Sequence, residues 1–321
     1  MRILVTGGCG FIGTNVVAAL IGRGHQVSIL DNLAVGRRAY LQTVPGGRDV
    51  EVTEGDVRDQ EAVRAAAKGV EAVLHLAAQT SVAASIRSPE DDASINVLGT
   101  LQVLTASLRE GVRKLVFASS NAAVGGDVLP VREDLIPRPI SPYGAGKLAG
   151  EAYCLAFWRS AGLDVTILRF SNAYGPFSLH KSSVVARFIQ DALTSRVLTI
   201  YGDGRQTRDF VFVGDLCQAI VEALERPAAC GEVFQIGSGT ETSILELAER
   251  LQALVPGPVT LRFEPARKGE IIRNRSEIAK AASLLGFHPV VPLEVGLSTT
   301  LQWFQGVLSP PACGASLGPA G

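Results

Sequence analysis

Tyr143 and Lys147 stand four residues apart in a segment whose pattern predicts the beginning of a helix. Residues with this spacing lie on one face of a helix, so the phenol and the ammonium become neighbours. A phenol near its ordinary pKa is a poor base at neutral pH, and a nearby positive charge favours its phenolate form. The pair is therefore a candidate general base for a substrate hydroxyl. The same spacing also occurs on helix surfaces that have no catalytic role.

Three glycines, Gly7, Gly10 and Gly13, follow the apolar run at residues 3–5 and open a stretch with a helical pattern. A second apolar run then ends in Asp31. Strand, glycine turn, helix, strand and terminal acid in this order are typical of a dinucleotide-binding βαβ unit. The first glycine allows the tight turn, the second lets a pyrophosphate approach, and the third allows close packing of helix on strand. The phosphates would meet the free N–H groups of the helix N-terminus.

Asp31 is the residue that predicts which dinucleotide binds. A carboxylate at this position accepts a hydrogen bond from a ribose 2′-hydroxyl and repels a 2′-phosphate, so it favours NAD over NADP. Arg37 and Arg38 follow closely and are read as solvated loop charges. A cationic nicotinamide ring would add its charge to that of Lys147 beside Tyr143, while hydride leaves the carbon whose hydroxyl is deprotonated.

Strand-like runs alternate with helical patterns through the first half of the chain. This alternation predicts an α/β fold, a Rossmann-type doubly wound parallel sheet covered on both faces, with a smaller mixed α/β substrate-binding lobe. Strands are predicted at 2–6, 26–30, 50–53, 71–76, 113–118 and 164–169, and helices near 12–23, 59–67, 92–110 and 144–161.

The predicted domain organisation has two interleaved parts. Residues 1–169 form the NAD-binding domain, with returns to it near 205–236, and residues 170–204 and 237–308 form the substrate-binding lobe. The tail at 309–321 is rich in Pro, Gly and small residues, so we expect it to be flexible.

Length and composition exclude several classes of protein. The chain has 321 residues, of which 47% are hydrophobic and 19% charged, with a net charge of −1, so it can bury a large core and has no nucleic-acid-binding character. No apolar stretch reaches membrane-spanning length and the N-terminus enters a strand directly, which predicts a cytoplasmic protein with no membrane contact. The cysteines and histidines lack metal-ligand spacing, so no metal is predicted.

The chain resembles the extended short-chain dehydrogenase/reductase family, in particular its nucleotide-sugar epimerases and dehydratases of the UDP-glucose 4-epimerase type. The resemblance covers roughly residues 1–305, and its motifs are more specific for the family than for the reaction. These motifs are TGGCGFIG at 6–13, DN at 31–32, HLAA at 75–78, FASS at 117–120, YGAGK at 143–147, RFSNAYGP at 169–176, YGDGRQTRDF at 201–210 and RKGE at 267–270.

The resemblance, together with the strand ends, implies a set of cofactor-binding residues: Gly7, Gly10, Phe11, Ile12, Gly13, Asp31, Asn32, Asp56, Val57, Leu76, Ala77, Ala78, Ser119, Tyr143, Lys147 and Phe170. It implies Ser120, Tyr143 and Lys147 as the catalytic residues. Counting from the fifth strand places Ser120 against the sugar 4-hydroxyl, whereas counting back from the following loop places Asn121 there; we follow the strand. Ser119 and Ser120 also have the alternative role of capping that strand.

By the same resemblance, a UDP-sugar is held by its diphosphate, its base and its sugar. Two guanidiniums suit a diphosphate because they form bidentate, charge-assisted hydrogen bonds. Asparagine at position 274, where relatives carry a bulky aromatic, would admit an N-acetyl group beside C2. The implied substrate-binding residues are Ser120, Asn121, Tyr143, Asn172, Val184, Val185, Phe188, Arg208, Arg267, Glu270 and Asn274.

The reaction that the resemblance favours is inversion at C4 through a transient 4-keto sugar. Family dehydratases typically carry an Asp-Glu pair after the catalytic hydroxyl residue and decarboxylases commonly a Glu, but here Asn121, Ala122 and Ala123 follow Ser120. None of these is a general acid or base at neutral pH. A dehydratase or decarboxylase with relocated groups, or a non-catalytic NAD-binding sensor, are the alternatives. The helices near 92–110 and 144–161 would pair with a second subunit in a four-helix homodimer interface.

Overall fold

The computed structural model describes residues 1–126, 128–266 and 271–308. A sheet of seven parallel strands forms its centre, and three short two-stranded pairs lie outside it. The strands are Arg2–Thr6 (β1), Gln26–Asp31 (β2), Glu51–Glu54 (β3), Ala72–His75 (β4), Lys114–Ser120 (β5), Asp164–Phe170 (β6), Asn172–Tyr174 (β7), Val197–Tyr201 (β8), Thr207–Arg208 (β9), Phe210–Phe212 (β10), Glu232–Ile236 (β11), Thr242–Ser243 (β12) and Thr260–Glu264 (β13).

Helices follow most of the strands. The α-helices are Phe11–Gly22 (α1), Arg38–Leu41 (α2), Gln60–Ala67 (α3), Val82–Arg87 (α4), Pro89–Ala93 (α5), Thr100–Arg109 (α6), Pro142–Ala161 (α7), Val184–Leu193 (α8), Val213–Glu225 (α9), Ile244–Leu254 (α10), Ala279–Leu285 (α11) and Leu293–Leu308 (α12). Short 3-10 turns occupy Gly47–Asp49, Asn121–Ala123 and Pro227–Ala229, and a π-helical turn at Ser94–Gly99 joins α5 to α6.

The strand order of the central sheet is β11-β6-β5-β4-β1-β2-β3. The chain leaves β1 toward β2 on one side and returns to β4 on the other, so the strand order reverses between β1 and β4. In sheets of this type, ligands bind in the crevice beyond the carboxyl ends of the strands at such a reversal. The fold prediction is confirmed, since all six predicted strands are present and β11 completes the sheet.

Helix α7 is fixed closely against strand β5. Its N-terminus is capped by Ser141, whose Oγ accepts a hydrogen bond from the N–H of Gly144 at 3.1 Å, and Pro142 occupies the first turn. A Cβ at Gly150 would come within 2.6 Å of the Phe117 ring, so only glycine permits this helix-to-strand distance. The helix therefore brings its first turn to the carboxyl end of β5.

The predicted helix near 92–110 is divided into α5, the π-helical turn and α6. The side chains of Asp92 and Asn96 are buried in this segment, and the Asn96 amide donates to the Asp92 carboxylate at 3.0 Å and to the carbonyl of Gln79 at 3.0 Å. These bonds connect the helix to the loop that follows β4.

A second hydrophobic cluster lies among α8, α10 and α12, outside the sheet, and includes Phe188, Leu247 and Phe304. Phe212 packs against both this cluster and the main core, which connects the two.

An aromatic cluster connects the segment after β2 to helix α12. The ring centroids of Tyr40 and Phe177 lie 5.3 Å apart, and those of Phe177 and Trp303 lie 5.2 Å apart. Beside this cluster, the amide of Asn15 on α1 donates to the carbonyl of Pro176 at 3.0 Å. The loop after β7 therefore contacts both helix α1, which follows the glycine turn, and helix α12.

Candidate active site

The glycine turn between β1 and α1 has the shape that a dinucleotide requires. Gly7 has a φ of +73°, and a Cβ there would lie 2.8 Å from the backbone N of Ala77. A Cβ at Gly13 would lie 2.2 Å from the carbonyl oxygen of Gly7, whereas one at Gly10 would meet only that oxygen, at 3.2 Å. No side chain in the described part of the chain caps α1, so the N–H groups of its first turn are available to an anion.

Asp31 is held at the end of β2 by two backbone hydrogen bonds. Its carboxylate accepts from the N–H of Cys9 and from the N–H of Leu33, both at 2.9 Å, and only 7% of the residue is exposed. The anion is thus fixed beside the glycine turn. Each carboxylate oxygen keeps a second lone pair with which to accept a further bond.

Asn32 and Asp56 connect the ends of β2 and β3. The amide of Asn32 donates to the Asp56 carboxylate at 3.0 Å, and Arg58 donates to the same carboxylate with two nitrogens at 2.8 Å. These bonds hold the pKa of Asp56 well below its usual range. The other residues predicted to bind cofactor are Phe11 and Ile12 in the first turn of α1, Val57 after β3, Leu76, Ala77 and Ala78 after β4, and Phe170 at the end of β6.

Tyr143 lies beside Ser120, where the first turn of α7 meets the end of β5. A Cβ at Gly144 would lie 2.3 Å from the carbonyl oxygen of Ala122, so the two segments touch. Burial raises the pKa of Tyr143 to about 12, and a hydrogen bond with the Ser120 hydroxyl acts in the opposite direction. The Ser120 hydroxyl also accepts from the N–H of Ala122 at 3.2 Å, so it caps the following 3-10 turn as well.

Lys147 is buried behind Tyr143, and its ammonium donates to the carbonyl of Ala118 at 2.9 Å. Burial lowers the pKa of Lys147 to about 8, against the opposing effect of the Asp92 carboxylate. Because burial and the charge of Asp92 both raise the pKa of Tyr143, the chain's own groups favour the protonated phenol at neutral pH. Formation of the Tyr143 phenolate, which the sequence led us to expect beside Lys147, therefore requires additional positive charge next to the phenol ring.

Asp92 belongs to this site and sequence reasoning missed it. Its buried carboxylate accepts from the amides of Gln79 and Asn96, and its negative charge raises the pKa of both Tyr143 and Lys147. The sequence gives little signal of this, because the acidic run at 90–92 is typical of a solvated helix N-terminus.

Ser119 turns away from Ser120 into a buried ionic network. Its hydroxyl donates to the carboxylate of Glu151, on the same helix as Tyr143. Arg169 on β6 donates to that carboxylate with two nitrogens, at 2.9 and 2.7 Å, and both ionic side chains are 5% exposed or less. The network connects β5, β6 and α7 directly behind the catalytic candidates.

Asn121 also points away from Ser120, into a second buried polar cluster. Its amide donates to the hydroxyls of Ser171 at 3.0 Å and Ser276 at 2.9 Å, and it lies 3.5 Å from the Asn274 amide oxygen. Asp209 anchors the cluster through the N–H of Ser276 at 3.0 Å. Asn274 therefore lies near the end of β5 and is 4% exposed, and its place beside C2 of the sugar stays a prediction.

The predicted substrate-binding residues of the second lobe lie in different surroundings. Asn172 is half-buried at the start of β7. Val184, Val185 and Phe188 lie in the first turns of α8, where Val185 and Phe188 are buried in the second hydrophobic cluster. The Arg208 guanidinium donates to the carbonyl of Ile271 at 2.7 Å. Arg267 and Glu270 lie outside the described residues.

Two further features bear on the class of protein. In the described ranges, no cluster of three or more His, Cys, Asp or Glu side chains is arranged to hold a metal ion. Likewise, no helix there has the length and apolar character needed to cross a membrane.

A doubly wound sheet, a glycine turn with a fixed acid after β2, and a Ser–Tyr–Lys group at the sheet's carboxyl edge together define a dinucleotide-dependent enzyme of the Rossmann type. A profile of the NAD dependent epimerase/dehydratase family matches residues 3–237. The chain belongs to this family.

Relatives with known names span several reactions. UDP-glucose 4-epimerase from Mycolicibacterium smegmatis is 38% identical over 310 residues, which cover 95% of this chain and 99% of the relative. The crystal structure of UDP-glucose 4-epimerase from Thermotoga maritima, with UDP-glucose, is 38% identical, with a TM-score of 0.88 over 96% of this chain and 100% of that one. A dTDP-glucose 4,6-dehydratase from Streptomyces venezuelae, solved with NAD, is 32% identical, with a TM-score of 0.89 and coverage of 95% and 97%. UDP-glucuronic acid decarboxylases are also related.

NAD is the cofactor of this protein, and the residues present fit it. The pyrophosphate can approach at Gly10 and at the first turn of α1, which has no side-chain cap. The Asp31 carboxylate, held by the N–H of Cys9, follows at the end of β2, where the ribose is expected.

Replacing Asp31 by alanine is expected to weaken NAD binding and to narrow its advantage over NADP. The lost charge-assisted hydrogen bond is worth about 1.5–3 kcal/mol. Titration of both dinucleotides into the variant measures the effect, and Asp49→Ala, which removes an exposed carboxylate of the same domain, is the control. Equal affinity of the parent for NAD and NADP would contradict the role of Asp31.

Proposed function

We propose that this protein is an NAD-dependent 4-epimerase of UDP-sugars, acting on a UDP-hexose, UDP-hexuronate or UDP-N-acetylhexosamine. The observation that carries the proposal is the pairing of Ser120 with Tyr143 in a site whose adjoining turn, Asn121–Ala123, offers no acid or base. The Asn121 amide is engaged behind the site, and two alanines complete the turn. A Ser–Tyr–Lys set is sufficient for inversion at C4 and lacks the extra groups that elimination of water requires.

Tyr143 acts as the general base in this proposal. Ser120 orients the sugar 4-hydroxyl, Tyr143 takes its proton, and Lys147 stabilises the phenolate from behind. The chemistry that NAD supplies when bound is reversible hydride transfer at C4, and its positive charge adds to that of Lys147. After the ketosugar turns its other face toward the site, Tyr143 returns the proton to the oxygen on C4.

The UDP portion is assigned to the second lobe. Arg208 and Arg267 would hold the diphosphate, Glu270 the ribose, Asn172 the diphosphate or sugar, and Val184, Val185 and Phe188 the base. Arg208 donates to the carbonyl of Ile271, the residue that directly follows the RKGE motif in the chain, and this contact supports the assignment. We also propose the domain division stated above, with the ligands bound between residues 1–169 and the second lobe.

Replacing Arg208 by alanine is expected to raise KM for UDP-glucose about tenfold or more, with NAD affinity unchanged. The diphosphate keeps its charge throughout the reaction, so this contact contributes to ground state and transition state alike. Steady-state kinetics measure the effect, with Arg205→Ala as the control because that side chain is 88% exposed. Unaltered KM in both Arg208→Ala and Arg267→Ala would place the diphosphate elsewhere.

Asn274 is the candidate for tolerance of an N-acetyl group. It lies next to Asn121, the residue that follows Ser120 in the chain, and asparagine leaves more room than an aromatic side chain would. We therefore expect the enzyme to accept both plain and N-acetylated UDP-hexoses.

The experiment that tests the reaction type is incubation of the purified, NAD-loaded protein with UDP-glucose, UDP-glucuronate and their N-acetylated forms. Mass spectrometry and sugar analysis of the products separate the alternatives. An unchanged mass with a new sugar supports the epimerase. Loss of water or carbon dioxide would identify a dehydratase or decarboxylase instead, and no reaction with any sugar would favour the sensor.

We also propose a homodimer through α6 and α7. Leu98 and Leu108 on one side and Tyr153 on the other are exposed large hydrophobic residues, at 56%, 43% and 40%. Ala152 and Ala156 are exposed on α7, the helix that carries Tyr153, and their small side chains would allow a partner helix to approach closely. Analytical ultracentrifugation of the parent measures the oligomeric state.

A further inference from the structure

Lys181 reaches from the second lobe to the carboxyl end of the central sheet. It lies in the loop between β7 and α8, and its ammonium donates a hydrogen bond to the hydroxyl of Thr80 at 2.9 Å. Thr80 follows the Leu76–Ala78 segment at the end of β4. The pair therefore bridges the two sides of the crevice in which the site lies.

Among the described residues, no negative charge adjoins this ammonium. No carboxylate within the ranges the structure describes lies at ion-pair distance from Lys181, and its one hydrogen-bond partner there is the neutral Thr80 hydroxyl. Burial lowers the pKa of Lys181, while the side chain keeps partial contact with solvent. A half-buried cation with only a neutral partner loses hydration without compensation, so an anion from outside the chain would stabilise it.

The charge of Lys181 affects Lys147 at the catalytic end of the crevice. Burial is the main cause of the lowered pKa of Lys147, and Lys181 lowers it further. His180 behaves in the same way: burial lowers its pKa to about 4, and Lys181 is the next cause. Lys181 thus acts on Lys147, directly behind Tyr143.

We propose that Lys181 and Thr80 bind the carboxylate of a UDP-hexuronate, so that acidic sugars are the preferred substrate class. The inference rests on the proposed function, because Tyr143 must hold the hydroxyl of C4. In a hexuronate the carboxylate is attached to C5, the neighbouring carbon, so it lies close to the group on which Tyr143 acts. The diphosphate is attached at C1, across the ring from C4, on the side assigned to Arg208.

The two side chains supply complementary hydrogen bonds to such a carboxylate. The ammonium has three donors, one of which is used by Thr80, and the Thr80 hydroxyl has its own proton to donate. A carboxylate oxygen accepts from each, which satisfies the charge of Lys181 and the hydroxyl of Thr80 together. A neutral hydroxymethyl group at C5 would leave the ammonium without an anion.

The test is the affinity for UDP-glucuronate compared with UDP-glucose, measured by calorimetry on the NAD-loaded full chain carrying Tyr143→Phe to limit turnover. Adding Lys181→Gln is expected to weaken UDP-glucuronate binding about 10- to 100-fold and UDP-glucose binding less than about threefold. Lys181→Arg should retain the preference for the acid, since it keeps the charge. Arg205→Gln, which removes an exposed cation of the same lobe, is the control.

Two results would overturn the inference. One is equal affinity for the two sugars before Lys181 is changed. The other is an equal loss for both sugars in Lys181→Gln, which would mean that the ammonium acts on a group common to both, such as the diphosphate. The proposed reaction is judged separately by the products: selective binding of UDP-glucuronate with release of carbon dioxide would leave the carboxylate site standing and refute the epimerase.

Discussion

Replacing Tyr143 by phenylalanine is expected to lower kcat about 10²–10⁴-fold, the typical effect of losing a general base. The variant keeps the ring and its packing on α7, so the affinities for NAD and for nucleotide sugar should change little. The phenolic oxygen alone is lost, together with its hydrogen bond to Ser120. Single-turnover kinetics with UDP-glucose and UDP-glucuronate, beside binding titrations, measure both quantities.

Tyr153 provides the matched control for this experiment. It lies on the same helix and is 40% exposed, so Tyr153→Phe removes a phenolic hydroxyl at the surface without touching the site. Its kcat should equal that of the parent. If Tyr143→Phe keeps more than half of the parental rate, another group is the base and the mechanism above is wrong.

Replacing Arg169 by methionine is expected to lower the free energy of unfolding by about 3–5 kcal/mol, because it leaves the Glu151 carboxylate buried without its partner. Both side chains of the pair are nearly inaccessible to solvent, and methionine approximates the length of the lost side chain. Urea denaturation followed by circular dichroism measures the change. Since Glu151 lies on α7 and bonds Ser119, the loss should be accompanied by weaker activity.

Arg113 gives the comparison with an exposed ion pair. Its side chain is 71% exposed where it meets Glu71, so Arg113→Met should cost no more than about 1 kcal/mol. A loss in Arg169→Met as small as that in Arg113→Met would mean that Glu151 takes up a proton or finds another partner.

Most of the fold follows from local patterns in the sequence. The Rossmann unit could be predicted because its glycines, strands and terminal acid are close together in the chain and each position has one steric requirement, as at Gly7 and Gly13. Helix α7 could be placed to within two residues at its N-terminus, and its four-residue spacing brought Tyr143 and Lys147 to one face.

The parts of the site that escaped prediction depend on contacts between distant segments. Asp92 and Lys181 carry ordinary surface residue types, and only the fold brings one beside Lys147 and the other onto Thr80. The sequence also could not predict that the pKa of Tyr143 is raised, because the shift depends on how deeply the phenol is buried and on which charges lie near it. The choice between Ser120 and Asn121 depended on one residue of register. Asn121 donates to Ser171 and Ser276, and the contact of Ser120 with the sugar stays a prediction.

The aromatic contact of Tyr40, Phe177 and Trp303 has a thermodynamic consequence. It connects the segment that follows Asp31 to the lobe assigned to the nucleotide sugar, through rings whose centroids lie no more than 5.6 Å apart. If binding of one ligand changes the packing of these rings, it changes the free energy with which the other ligand binds. Linkage makes such cooperativity reciprocal, so any factor by which NAD tightens sugar-nucleotide binding is the factor by which the sugar nucleotide retains NAD.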